Sequence, residues 1–342
     1  MCIRDRLELT WTVLPAVVLV VIAVPTVKSI WKFNTGAPAN ALQIDVIGHQ
    51  WWWEFRYPEQ NVITANELYM PTGRPVNFTL RSQDVIHSFW IAQLGGKRDV
   101  VANRTNHIWF TPDSVGTQAF NGSCNEYCGA SHANMRFRAY TVSPDEFDRW
   151  VAGQQATAAF TAAPPATPAP AGNAAAAPVA NQTTAAAQQA TPAAAPAPVG
   201  YVFPAEQLPA HVIPDTPIPA GLTFDDGILA AGDPQRGVQA FISCIGCHKV
   251  RGNPQAVGTI GPDLTHIASR HTIAAGLFPN DNHHLARWIK NARKMKPMGA
   301  MSMPTLGLGE TDPILKTTVT KAQGGLTDQQ IADIVAYLRS LK

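Results

Sequence analysis

The sequence predicts a multidomain chain: one transmembrane helix, an all-β domain of sandwich or Greek-key type, a disordered Ala/Pro linker and an all-α domain. Three observations carry this. Residues 9–27 contain no charge, and residues 34–150 break into short aromatic and β-branched runs separated by turn residues. From about Ala152 to Pro219 the composition collapses to Ala, Pro, Gln and Thr. The expected divisions are 1–33 for the anchor, 34–152 for the β domain, 153–221 for the linker and 222–342 for the helical domain.

The 342 residues are 46% apolar, which supports real cores, but only 15% charged. The uncharged stretches 9–27 and 150–205 account for that deficit. Net charge is +2 with no basic block, which excludes a nucleic-acid footprint. Of five cysteines, four form two close pairs, Cys124/Cys128 and Cys244/Cys247. Such spacing in a long chain points to metal or cofactor attachment over a disulfide framework.

Leu9–Val27 would make a helix about 28 Å long, close to the roughly 30 Å hydrocarbon core of a bilayer. Pro15 and Pro25 are tolerated in such a span, and Trp11 and Trp31 sit where interfacial aromatic belts lie. A signal peptide or a buried core helix are the alternatives, and no convincing cleavage site follows the run. Lys and Arg are balanced across its flanks, so charge does not orient it.

In the β domain, Val76–Leu80 alternates apolar and polar residues as a half-buried strand does. Ile44–Tyr57, His107–Phe110 and Phe137–Val142 are rich in strand formers, and Pro71-Thr-Gly73, Gly95-Gly96, Pro112-Asp113 and Asn121-Gly122 punctuate them. The linker cannot bury enough apolar surface to offset the ordering of its backbone. Beyond it, Asp233-Pro234 caps a helix over Gln235–Ile245, and His284–Lys294 forms another. A capping box of Thr327 and Gln330 starts a third helix, with Ile331, Ile334, Val335 and Leu338 as its apolar stripe.

Three constellations carry chemistry. Cys244-Ile-Gly-Cys247-His248 fits covalent haem attachment, with two thiols to add across the vinyl groups and an imidazole for the iron. A redox dithiol or half a zinc site are the alternatives, but the first does not require His248 and the second lacks another cysteine pair in this domain. Met295, Met298, Met301 and Met303 are candidates for a sixth ligand. Met303 is preferred and Met301 is second, because Pro304 biases Met303 to an extended backbone. Met295 and Met298, next to the preceding helix, read as packing or surface residues.

The second constellation is Cys124, Cys128, His132 and Met135 around a central Gly129, a donor set that suits copper over hard cations. Two thiolates allow two bridged coppers, and His87 is the best candidate for a further imidazole. A disulfide or a structural zinc are the alternatives. His107 reads as a core histidine. The third constellation, Trp51-Trp52-Trp53, places aromatic rings on both faces of a strand, either as core plus an edge or as a patch where electrons enter.

The Gly48–Phe55 strand, Val85-Ile-His87-Ser with Leu94-Gly and Asp99, and the Cys124–Met135 loop together resemble subunit II of haem–copper cytochrome c oxidases. The haem motif makes the chain similar to the caa type, in which a class I cytochrome c domain is fused C-terminally. Gly261-Pro-Asp-Leu-Thr265, Ala268-Ser-Arg270 and Met303-Pro304 match that domain's usual segments. The resemblance implies a cupredoxin fold with a dinuclear copper A centre held by His87, Cys124, Cys128, His132, Met135 and the Glu126 carbonyl. It also implies magnesium shared with subunit I through the Glu126 side chain, electron input at Trp51, and axial haem ligands His248 and Met303.

The implied role is transfer of electrons from cytochrome c or an upstream quinol-oxidising complex, through haem c and copper A, to the subunit I haems. Oxygen is reduced there and protons are pumped, with subunit III as a further partner. The implied location is the outer face of a bacterial plasma membrane. The family anchor is a two-helix hairpin, of which Glu8-Leu-Thr-Trp11-Thr resembles the start of the second helix; residues 1–6 are expected to be foreign and Cys2 to have no role. The rival reading is an exported, membrane-anchored electron carrier or copper-handling protein without an oxidase partner.

Overall fold

The apolar run is the centre of a longer helix, α1 (Ile3–Asn34), which extends beyond the predicted span at both ends and buries none of its residues against the rest of the chain. This computed structural model describes residues 3–113, 118–157, 200–212, 214–300 and 302–342. Cys2, Met301 and most of the predicted linker lie outside the described residues. On α1, the hydroxyls of Thr10, Thr12 and Thr26 each bond the carbonyl four residues back, so they add no unpaired polar group to an apolar surface. Among the described residues, α1 is the one helix long and apolar enough to cross a membrane.

Among the described residues, ten strands build the β domain: β1 (Leu42–His49), β2 (Trp52–Tyr57), β3 (Val62–Ala65), β4 (Glu67–Pro71), β5 (Val76–Ser82), β6 (His87–Trp90), β7 (Arg98–Val100), β8 (Asn106–Phe110), β9 (Gln118–Cys124) and β10 (Arg136–Val142). They form two five-stranded sheets, ordered β3-β2-β1-β5-β8 and β4-β10-β9-β6-β7. The pairs β1–β5 and β10–β4 are parallel and the other pairs antiparallel, so consecutive strands do not simply neighbour one another. Trp53 and Phe55 from one sheet meet Phe89 and Phe137 from the other, with ring centroids 5.4 to 6.4 Å apart. The predicted aromatic run Ile44–Tyr57 is thus a hairpin, β1 pairing β2 with His49 opposite Trp52.

A capping box of Ser143 and Glu146 opens α2 (Pro144–Gln155), whose Phe147 and Trp150 seal one end of this core. Residues 200–212, counted with the linker on composition, return to the same core and bury Phe203 and Val212 in it. The Phe203 amide donates to the Tyr69 hydroxyl at 3.2 Å. Burial of those two apolar side chains fixes that short stretch on the core.

The helical domain contains α3 (Pro234–Ala240), α4 (Asn282–Met295) and α5 (Asp328–Ser340), with the short β11 (Thr272–Ile273) and β12 (Phe278–Pro279) between. Asp233 and Thr327 cap as the sequence indicates, Asp233 accepting from the Gln235 and Arg236 amides. α3 is shorter than expected, because the chain tightens to a 3-10 turn over Phe241–Ser243 before the cysteine motif. Ile331, Ile334, Val335, Tyr337 and Leu338 of α5 form the centre of the second core with Phe241 and Phe278.

Candidate metal centres

β9 ends at Cys124, and the loop that follows returns to β10 through Cys128, His132 and Met135. The loop is closed by the Cys124 amide donating to the Met135 carbonyl at 3.0 Å. Pairing of Phe89 with Cys124 between β6 and β9 brings in His87, at the start of β6. The two sulfurs lie 3.8 Å apart, neither in a disulfide. His87 Nδ1 is 3.8 Å from Cys124 Sγ, and His132 Nδ1 is 3.6 Å from Cys128 Sγ. Met135 Sδ stands 3.8 Å from Cys128 Sγ, and the Glu126 carbonyl 3.3 Å from Cys124 Sγ. The donors the sequence suggested therefore come together, with His87, Cys124, Cys128 and Met135 buried and His132 and Glu126 half-buried at the edge.

The chemistry of that cluster fits a soft cation pair. The Cys128 thiol, then His87 and the Glu126 and Ser88 backbone, pull the Cys124 thiol well below its ordinary range against the cost of burial. Cys128 moves the other way, because a second thiolate beside the first is unfavourable until a cation neutralises both. His87 is oriented from behind. Its Nε2 donates to Asp84 Oδ1 at 2.8 Å, which leaves the Nδ1 lone pair facing the sulfurs. Asp84 is held in turn by the Gln50 amide at 2.6 Å.

Two supports were not found in the sequence. Asp84 is one, although it lies three residues before His87. Gly48 is the other: a Cβ there would sit 2.7 Å from His87 Cδ2, so only glycine leaves room for the ring. His107 corrects an expectation. It sits on β8, an edge strand, opposite Thr79 of β5, and its side chain is exposed outside the core.

The three tryptophans separate as their strand geometry requires. Trp53 is in the core against His87, and Trp52 stacks on His49 at 4.1 Å on the outer face. Trp51 is 7% exposed, and its Nε1 donates to the Cys128 carbonyl at 2.9 Å. It is thus no open patch: the helical domain lies over it, close enough that a Cβ at Gly299 would contact its ring at 3.7 Å.

At the second motif, the His248 amide bonds the Cys244 carbonyl at 2.9 Å and the Cys247 amide bonds it at 3.1 Å. One turn therefore presents both thiols and the imidazole together. His248 Nδ1 donates to the Pro262 carbonyl at 2.8 Å, leaving Nε2 as the free donor atom. Burial lowers the His248 pKa and keeps the ring neutral. Gly261 leaves space here as Gly48 does for His87, since its Cβ would lie 2.6 Å from His248 Cε1. Ile242, Val257 and Ile260 expose apolar side chains near the motif, a surface suited to a porphyrin edge. Met295 is buried in the helical core and Met298 packs on the β-domain core, while Met303 is half-buried.

The family model for the periplasmic domain of cytochrome c oxidase subunit II matches residues 60–142, and that for cytochrome c matches residues 234–342. Cytochrome c oxidase subunit 2 of Alkalihalophilus pseudofirmus is 30% identical, covering 99% of this chain and 74% of that protein. The chain belongs to the cytochrome c oxidase subunit II family.

The Bacillus sp. strain PS3 subunit is 28% identical over 98% of this subunit and 74% of its own length. The crystal structure of the periplasmic domain of the Bradyrhizobium japonicum subunit II is 29% identical, covering 34% of this subunit and 95% of that chain at a TM-score of 0.32. The subunit combines a copper A domain with a C-terminal cytochrome c domain. It is membrane-anchored with the copper domain on the outer face, and it works with a subunit I in an oxidoreductase complex.

Proposed function

We propose that this subunit takes electrons from cytochrome c or an upstream quinol-oxidising complex and delivers them to subunit I for oxygen reduction coupled to proton pumping. Copper and haem, when bound, supply reversible one-electron transfer. The observation that carries the reading is the position of Trp51. Its indole is bonded to the Cys128 carbonyl on one side and covered by the Gly299 loop of the haem domain on the other.

In this reading Cys124, Cys128, His87 and His132 through Nδ1, Met135 and the Glu126 carbonyl would together hold the copper. Cys244 and Cys247 would attach the haem covalently, with His248 through Nε2 and Met303, or failing that Met301, as the residues that would hold its iron. The divisions 1–33, 34–152, 153–221 and 222–342 are the working domain boundaries, with α2 running to Gln155 and residues 200–212 of the third packing on the β-domain core. Tyr127 in the copper loop, 73% exposed, and Val85 and Ile86 just before His87 expose side chains that suit the subunit I interface. The Glu126 side chain, half-buried in the same loop, would share magnesium with subunit I, and subunit III would complete the complex at a bacterial plasma membrane.

Purification from native membranes tests this. The subunit should co-purify with a large haem-bearing integral protein, and its donor-reduced haem should be reoxidised by oxygen only in that complex. A chain that purifies alone, with no oxidase activity in its source membranes, contradicts the reading.

A further inference from the structure

The haem and copper domains meet through ionisable side chains that are almost entirely removed from water. Glu67, the first residue of β4, is 2% exposed, and its Oε1 accepts from the His271 and Thr272 amides of the haem domain at 2.6 and 3.1 Å. Arg138 lies directly across from it in the β4–β10 register, and its Nη2 donates to the Gly276 carbonyl at 2.8 Å. From the haem side, Lys296 at the end of α4 donates to the Trp51 carbonyl at 2.7 Å and to its own domain's Ala274 carbonyl at 3.3 Å.

These contacts converge on one loop. Ala274, Ala275 and Gly276 are consecutive left-handed residues, with φ of 56°, 63° and 77°. For alanine that conformation costs on the order of 1 kcal/mol per residue, so it persists only where the surroundings impose it. Here each carbonyl is taken: Ala274 by Lys296, Ala275 by the Arg136 amide at 3.2 Å, and Gly276 by Arg138. Ser131 bonds the Pro297 carbonyl next door. On a second patch, Arg251 Nη1 donates to the Gln154 and Gln155 carbonyls at 3.2 and 3.0 Å.

We propose that Glu67, Arg138 and Lys296 form a clasp that holds the haem domain in one fixed pose over Trp51, so that the domain is docked and does not swing on its tether. They are positioning residues; the consequence for electron flow rests on the proposed function above. Buried ionisable groups of this kind add little net affinity but penalise every other arrangement, in which they would be buried without partners. Covalent connection supplies an effective concentration on the order of millimolar, so even a modest interface stays filled. Because the docked domain covers Trp51, an external donor reaches that ring only by way of the haem domain.

Amide hydrogen exchange on the intact, metal-loaded subunit reads the clasp without reference to activity. The His271 and Thr272 amides should be protected in the parent protein. They should exchange about ten- to a hundredfold faster in E67Q/K296M, the loss expected for hydrogen bonds to charged groups. In the assembled oxidase, haem-to-copper transfer in the parent should be independent of solvent viscosity and should become viscosity-dependent in that variant, with haem and copper spectra unchanged. Unprotected His271 and Thr272 amides in a parent subunit carrying both cofactors would overturn the clasp while leaving the electron-carrier reading intact. So would a parent rate that falls in proportion to viscosity. Should the variant not fold, the two parent measurements decide alone.

Discussion

Replacing Gly48 by alanine puts a methyl carbon 2.7 Å from His87 Cδ2 and 3.1 Å from its Cγ. Carbon atoms settle at about 3.5–4.0 Å, so the ring must retreat by roughly 1 Å. Little allows it to do so. The His87 side chain is fully buried, tied to Asp84 at 2.8 Å, edge-on to Trp53 at 5.9 Å, and faces Cys124 at 3.8 Å. Functional constellations tolerate about 0.5 Å of displacement, and disturbing the shell around a metal ligand commonly costs 10- to 100-fold in affinity. Copper affinity of Gly48→Ala should fall by about that factor, with an overpacking penalty of about 1–3 kcal/mol on the copper domain. Metal analysis with electron spin resonance measures the first and thermal unfolding the second. Gly36→Ala, where nothing lies within 4 Å, is the neutral control. If Gly48→Ala binds two coppers with unaltered resonance and stability, Gly48 does not make room for His87 and the packing argument fails.

The other predictions are shorter. Cys128→Ser should abolish mixed-valence spin delocalisation while the haem stays attached, whereas His107→Gln should leave the copper spectrum intact; retention of two coppers and full turnover in the first contradicts the bridging role. Trp51→Leu should slow copper reduction at unchanged copper content, and a slowing that tracks lost copper would mark Trp51 as packing only. Met303→Leu should remove the weak near-infrared band of sulfur-to-iron ligation and lower the haem potential; if Met301→Leu does this instead, the ligand is Met301. The acid limit of the haem domain should involve Asp312. Burial raises its pKa, but the Leu315 and Ile314 amides and Arg293 outweigh that and hold it below the ordinary 3.8. The unfolded state then binds more protons as pH falls through 3.8, so the stability it contributes is present above that pH and lost below it. Melting of Asp312→Asn should be less sensitive to pH in that range than melting of the parent.

What was legible in the sequence was local. Cys124, Cys128, His132 and Met135 span a single loop, as do Cys244, Cys247 and His248, so spacing exposed them. Caps at Asp233 and Thr327 were readable because the bonded amides lie within three residues. The hairpin inside Ile44–Tyr57 was hidden because the Gln50–Trp51 turn carries none of the usual turn residues. His107 was misplaced because alternation gives a strand two faces but not which one meets the other sheet. Gly48 leaves no trace in composition, since its role is a distance to a ring 39 positions away in sequence. The clasp was beyond reach for the same reason: Lys296 and Trp51 are 245 residues apart.

The central claim is that one chain holds a dinuclear copper site and a covalent haem. Metal and haem analysis of the purified subunit, with electron spin resonance of the same sample, tests it most directly. The account predicts two coppers and one covalently bound haem per chain, with one unpaired electron delocalised over both coppers. A single copper with a localised signal, zinc in its place, or a haem released by acid extraction would contradict it.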